Sequence, residues 1–202
     1  MKIRDKELLR ERIWDIIDCQ ELSKFPKSVR GRIPNFKGAF KAAQMLKNTY
    51  EWMNSKIIFS SPDSAQMKVR EYALMDGKTL IMASPKLKRG YLLIRPENAS
   101  GHEKEASTIK GAFRFGESIK EFPEVDLVVE GSVAVDFRGG RLGKGGGYGD
   151  KEISHLFNTG SISESTPIVT TVHEVQIMDE IPLEVHDEKI NMIVTPERVI
   201  RI

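Results

Sequence analysis

The chain has 202 residues, enough to bury a sizeable core as one domain over residues 1–202 without disulfide staples. Its 31 basic and 29 acidic residues leave a net charge of +2, so charge gives no reason to expect nucleic acid as a partner. No apolar run approaches the roughly 18 residues that a membrane span needs, and no membrane partner is expected. The N-terminal run MKIRDKELLRERIWDIID is charged throughout and lacks the apolar core of a secretory signal, which makes the cytoplasm the expected compartment. Cys19 is the single cysteine, so no internal disulfide can form. Following a helical run, it reads as a buried, inert thiol.

Residues 4–18 set Leu8, Leu9, Ile13, Trp14, Ile16 and Ile17 between charges, the pattern of an amphipathic helix. The segment 19–36 ends in RGRIPNF, where Gly31 and Pro34 interrupt any helix and predict an ordered loop. KGAFKAAQMLKNTYEWM, residues 37–53, resumes helical periodicity. KIIFS at 56–60 predicts a strand, and DSAQMKVREYALMDG predicts a helix capped by Asp63 or Ser64 and stopped by Gly77. KTLIMA at 78–83 is the next strand, and the three together read as a parallel βαβ unit. GYLLIRP suggests another short strand, and residues 97–124 are polar and weakly patterned. VDLVVEGSVAVDF at 125–137 reads as a strand pair or one long bent strand. DKEISHLFNTG is a helix ended by Gly160, PIVTTV at 167–172 a buried strand, and NMIVT and RVIRI closing strands. The sum is an α/β protein with a mostly parallel central sheet and helices on both faces.

GGRLGKGGGYGD, residues 139–150, holds seven of the chain's 16 glycines, two cations and a terminal acid. Glycine lets backbone N–H groups turn toward an anion with no Cβ in the way. A helix N-terminus behind the loop adds partial positive charge. Arg141 can fork onto phosphate oxygens, Lys144 supplies a point charge, and Asp150 can hold Mg²⁺ carried with a nucleotide. The local physics describes a polyphosphate site; the competing reading is a flexible glycine-rich surface loop. GxxxxGK[ST] does not fit, because Gly145 follows Lys144, and GxGxxG does not fit, because Tyr148 takes the place of its last glycine.

The stretch resembles the GxRLGKGGGYYD signature of the 5-formyltetrahydrofolate cyclo-ligases, also called methenyltetrahydrofolate synthetases. PEVDLVVEGSVAVD before it and PLEVHDEKINMIVTPERVI near the end match the family's order and spacing. RIPNFKGA from Arg32, PDSAQMKVREYAL from Pro62 and GKTLIMASPKL from Gly77 are similar to segments of the methenyltetrahydrofolate synthetase domain-containing branch. The resemblance covers nearly the whole chain. It implies a three-layer α/β/α fold of the cyclo-ligase (NagB/RpiA/CoA-transferase-like) type. It also implies an ATP-dependent ring closure in which 5-formyltetrahydrofolate, or a related formyl-pterin, becomes the 5,10-methenyl form while ATP becomes ADP and phosphate. The implied phosphate loop is Arg141, Gly143, Lys144, Gly145, Gly146 and Gly147, with Tyr148 beside it and Asp150 as the Mg²⁺-associated acid; Arg141 and Lys144 are the implied catalytic cations. The family's KxxLR element, which reaches ATP, falls on Lys6 and Arg10, whose plainer reading is two solvated charges on an amphipathic helix. The partner is then a small reduced folate or pterin, with the chain a monomer or homodimer. Two departures stand out: Gly149 occupies the second tyrosine of the signature, and IIFSSPDS replaces the strand end that carries an acid near the folate. They leave open a nucleotide-binding protein of the same fold that is non-catalytic or regulatory.

Other residues invite chemistry less strongly. His186 and Asp187 offer too few ligands for a metal and read as structural. His173 and Glu174 follow a buried strand, at the expected edge of the site. Arg30, Arg32 and Asn35 could grip an anion or anchor their loop. Trp14 and Trp52 sit at apolar helical positions and read as core, while Lys86, Lys88 and Arg89 read as a solvated turn.

Overall fold

A computed structural model describes residues 2–25 and 27–202. The predicted first helix is α1, Lys2–Cys19. The helical segment that follows the loop divides into α2, Ala39–Lys47, and α3, Tyr50–Asn54. Thr49 makes the break, because its hydroxyl accepts the Trp52 N–H and caps the second helix. The βαβ unit forms as the alternation predicts: β1, Ile57–Ser60, α4, Met67–Met75, and β2, Thr79–Ala83, with β1 parallel to β2 and Ile58 opposite Leu80. A 3-10 turn over Ser64–Gln66 precedes α4, and Asp63 makes no side-chain cap there. β3, Tyr91–Ile94, runs antiparallel to β2.

The weakly patterned stretch contains three short helices and a strand: α5, Pro96–Ala99; α6, Glu103–Ala106; α7, Ile109–Phe115; and β4, Glu117–Ile119. Their fully buried residues are few and small (Ala99, Ala106, Gly111 and Ala112), and the helices are too short to show an apolar period of 3.6. VDLVVEGSVAVDF is a pair: β5, Leu127–Glu130, enters the main sheet and β6, Ala134–Asp136, leaves it. The rest is β7, Arg141–Leu142; α8, Tyr148–Asn158; β8, Ile168–Thr171; β9, Ile177–Met178; β10, Met192–Val194; and β11, Val199–Arg201.

Eight strands form the main sheet in the order β11-β10-β8-β5-β1-β2-β3-β4. The five from β10 to β2 are parallel, and both edges turn antiparallel. Successive side chains point to opposite faces. Phe59, Ile81, Val128 and Ile193 meet Ile153 and Leu156 of α8 on one side. Ile58, Leu127, Val129 and Met192 meet α2, α3 and α4 on the other, including Trp52. Burial of each such side chain is worth about 1.5–3 kcal/mol, which fixes the layering. A second sheet, β7-β6-β9, carries the glycine stretch away from the main one. Helix α1 docks on this smaller sheet: Ile13, Trp14 and Ile17 pack against Val133, Ala134 and Leu142.

Candidate active site

The glycine stretch does not follow a strand of the central sheet. Residues 139–142 complete a hairpin of the small sheet, in which β7 pairs antiparallel with β6. Buried Asp136 holds its turn by accepting the N–H groups of Arg138, Gly140 and Ile181. The open loop is residues 143–147, and α8 begins at Tyr148. Its N-cap, Gly147, has φ +63°, a left-handed conformation that side chains disfavour.

Arg141 points inward and is 4% exposed. Its Nη2 donates to Asp150 Oδ1 at 2.6 Å and its Nη1 to the Gly131 carbonyl at 3.3 Å. Burial opposes its charge, but Asp150 and then Glu130 outweigh that, and its pKa is raised. Asp150 Oδ1 also accepts the Glu188 N–H at 3.3 Å. A Cβ at position 149 would lie 2.8 Å from Arg141 Nη1, so a side chain there would displace the guanidinium. Lys144 is partly exposed and donates to Asp63 Oδ1 at 2.8 Å.

Helix α1 delivers both residues of its KxxLR element to this loop's outer side. Arg10 Nε donates to the Gly143 carbonyl at 2.8 Å. Lys6 is buried and bridges Glu184 at 2.8 Å and Asp187 at 2.5 Å. Desolvation opposes its charge, yet Asp187 and Glu184 prevail and raise its pKa. Lys6 and Arg10 line a cleft of about 900 Å³ that also exposes Gly145 and His186. On the loop's other side lies a cavity of about 290 Å³, whose lining includes Asn35, Asp63, Gly146 and Tyr148. Arg141, Gly143, Lys144, Gly147 and Asp150 border both spaces, so the loop is a wall between them.

Two buried acids went unnoticed in the sequence. Glu130, at the end of β5, and Glu152, in α8, line the smaller cavity and are 2% and 3% exposed. They lie close enough for each to feel the other's charge. Desolvation pushes Glu130 up to about 7 against the pull of Arg141, and raises Glu152 well above the carboxylate range. The available signal was an acid ending an otherwise apolar run, LVVE, since such a residue must face a partner or a site.

Several expectations change. Cys19 is exposed, because it closes α1 beyond the last buried turn. His173 and Glu174 border neither space: His173 Nδ1 accepts the Val175 N–H and caps a 3-10 turn, and Glu174 pairs with Arg198. Arg30 is tied to Glu11 and Asp15 of α1 as a loop anchor, whereas Arg32 and Asn35 reach the smaller cavity. Lys86 borders that cavity too. Trp14 and Trp52 are core. Among the described residues, donor atoms of Glu184, His186 and Asp187 lie within 4.8 Å of one another, but Lys6 already engages both acids. None of the described helices is long and apolar enough to cross a membrane.

The sequence pattern of the 5-formyltetrahydrofolate cyclo-ligase family matches residues 2–196. The chain belongs to that family. It is 38% identical, over 96% of its length, to the methenyltetrahydrofolate synthase domain-containing protein of Bos taurus, of which it covers 53%. The Homo sapiens counterpart is 37% identical with the same coverage. The chain thus spans about half the length of the curated relatives it matches. The fold is shared with the 5,10-methenyltetrahydrofolate synthetase of Aquifex aeolicus, at a TM-score of 0.61 and 22% identity over 97% of this chain and 92% of that one.

Proposed function

We propose that the protein uses ATP to close the ring of a formylated reduced folate, converting 5-formyltetrahydrofolate to the 5,10-methenyl form with release of ADP and phosphate. One observation carries this reading: the glycine loop stands between two cavities and presents Arg141 and Lys144 to both. A phosphoryl transfer between two bound substrates needs such a partition, with the transferring group at the wall and charge neutralised there.

The nucleotide occupies the larger cleft, which Lys6 and Arg10 of α1 line, with Arg10 held against the loop. The folate occupies the smaller cavity. The formyl oxygen attacks the γ-phosphorus and the bond to ADP breaks. N10 then attacks the activated formyl carbon, its proton leaves, and the carbon–oxygen bond to phosphate breaks. Lys144 and the N-terminus of α8 neutralise charge on the moving phosphoryl group, and Arg141 holds Asp150 in place. The carboxylate of Asp150 fits a phosphate-borne Mg²⁺, which takes one or two protein oxygens and keeps its waters; Arg141 and the Glu188 N–H both bond Oδ1. Mg²⁺ bound there supplies further charge neutralisation on the phosphates.

The second reading, a nucleotide-binding protein without turnover, is favoured by Gly149, which leaves the pterin side without the second tyrosine of the signature. An absorbance assay for the methenyl product, with ATP and 5-formyltetrahydrofolate, separates the two. ATP-dependent product is expected. ATP binding with no product from any reduced formyl-pterin supports the second reading.

A further inference from the structure

Glu130 and Glu152 come from different elements, β5 and α8, and converge on the wall of the smaller cavity. Glu130 ends a central parallel strand, the place where open α/β sheets collect ligands. No N–H or O–H donor of the described residues reaches Glu130 Oε1, although the atom is buried. Buried carboxyls left without donors are costly, and packing alone would select an apolar side chain at either position. The nearby cation does not resolve this. Arg141 bonds Asp150 and the Gly131 carbonyl, and its Nε is itself without a partner. One buried cation therefore stands among three acids. Even if the two glutamates shared a proton, Glu130 Oε1 would still have no donor among the described residues.

We propose that Glu130 and Glu152 form the recognition floor of a seat for a flat heterocycle whose edge presents adjacent N–H donors, of the 2-amino-4-oxo type found in pterins. Two carboxyl oxygens side by side accept from an exocyclic amino group and its neighbouring ring N–H. The cavity, about 290 Å³, is at the small end of ligand sites, which run from roughly 300 to 1,000 Å³, and suits a bicyclic ring better than a nucleotide. The seat is across the glycine loop from the larger cleft, so a ring held there faces the phosphate wall. This inference rests on the proposed cyclo-ligase reading and adds which residues of this chain hold the pterin edge. It adds two buried acids to a wall that Asp63 of IIFSSPDS, paired with Lys144, already borders.

Calorimetry tests the seat with full-length protein and three probes: pterin, lumazine and ATP. Lumazine carries an oxo group in place of the 2-amino group. Pterin is expected to bind, lumazine at least tenfold more weakly, and Glu130→Gln to lower pterin affinity at least tenfold while ATP affinity stays at the wild-type value. Glu152→Gln is the second variant, and a tenfold loss in either folded protein supports the seat. Equal affinity for pterin and lumazine, or wild-type pterin affinity in both variants, overturns it. Wild-type protein that binds ATP but not pterin overturns the seat and leaves the nucleotide reading standing. Wild-type protein that binds pterin but not ATP supports the seat and overturns the nucleotide reading.

Discussion

Replacing Gly149 with alanine reports on the Arg141–Asp150 pair. On an ordinary helix the change is favourable by roughly 0.5–1 kcal/mol, because alanine is the better helix former. Here the new Cβ would lie 2.8, 2.9 and 3.0 Å from Nη1, Nη2 and Cζ of Arg141, so the guanidinium must move by about half an ångström before contact becomes ordinary. It has little room, being buried and held by Asp150 at 2.6 Å. Stretching or losing a charge-assisted bond of this kind costs about 1.5–3 kcal/mol, which exceeds the propensity gain. The net expectation is a destabilisation of about 1–2 kcal/mol, or roughly 2–8 °C in Tm for a chain of this size. Chemical denaturation and thermal scans measure it. Asp150→Asn keeps an acceptor but removes the charge that strengthens the same bond, so the double variant should lose less than the sum of the two single losses. A Gly149→Ala protein as stable as wild type, or full additivity with Asp150→Asn, would refute the reasoning. Tyrosine at position 149 meets the same obstacle, so Gly149→Tyr is not expected to improve the site.

Lys144→Ala should leave stability nearly unchanged, since its pair with Asp63 is partly exposed, and should weaken ATP binding by about 1–3 kcal/mol in calorimetry. Unchanged affinity in the folded variant removes Lys144 from the nucleotide site. Lys6→Ala leaves Glu184 and Asp187 without their shared cation, and urea denaturation should show a loss of about 1–3 kcal/mol; a neutral result would mean that the ion triad does not hold α1 in place. Stability should also fall as pH rises from about 5 to 8. Glu130 binds its proton more tightly folded, with a pKa of about 7 against an ordinary 4.5, so its stabilising contribution is complete below about 4.5 and is lost toward 7. The depressed carboxyls, Glu51, Glu103, Glu174, Glu184 and Asp187, act oppositely at lower pH, and His173, whose imidazole burial holds below its ordinary value, opposes the decline just below about 6.5. Glu130→Gln should flatten the decline between pH 5 and 8 in thermal unfolding, and an unchanged slope would show that Glu130 is not the group responsible.

Local spacing determined much of this protein. The alternation in KIIFS and KTLIMA, with a helix between, dictated two parallel strands, because a period of two and a crossover of that length allow little else. Glycine density and the RLGKGGGY run marked the loop, and KELLR marked the face of α1 that meets it. The sequence could not say that VDLVVEGSVAVDF serves two sheets, since both halves have the same apolar character and only the sheet order separates them. Nor could it pair Lys6 with Asp187 or bring Glu130 to Glu152. These contacts are tertiary: Glu130 nears Glu152 because α8 packs across the end of β5, and Lys6 meets Asp187 because α1 docks on the small sheet. Burial then changes what the side chains are. Tertiary packing turns Arg141 from a free phosphate ligand into a salt-bridged strut, and two ordinary glutamates into a pair that keeps a proton near neutral pH.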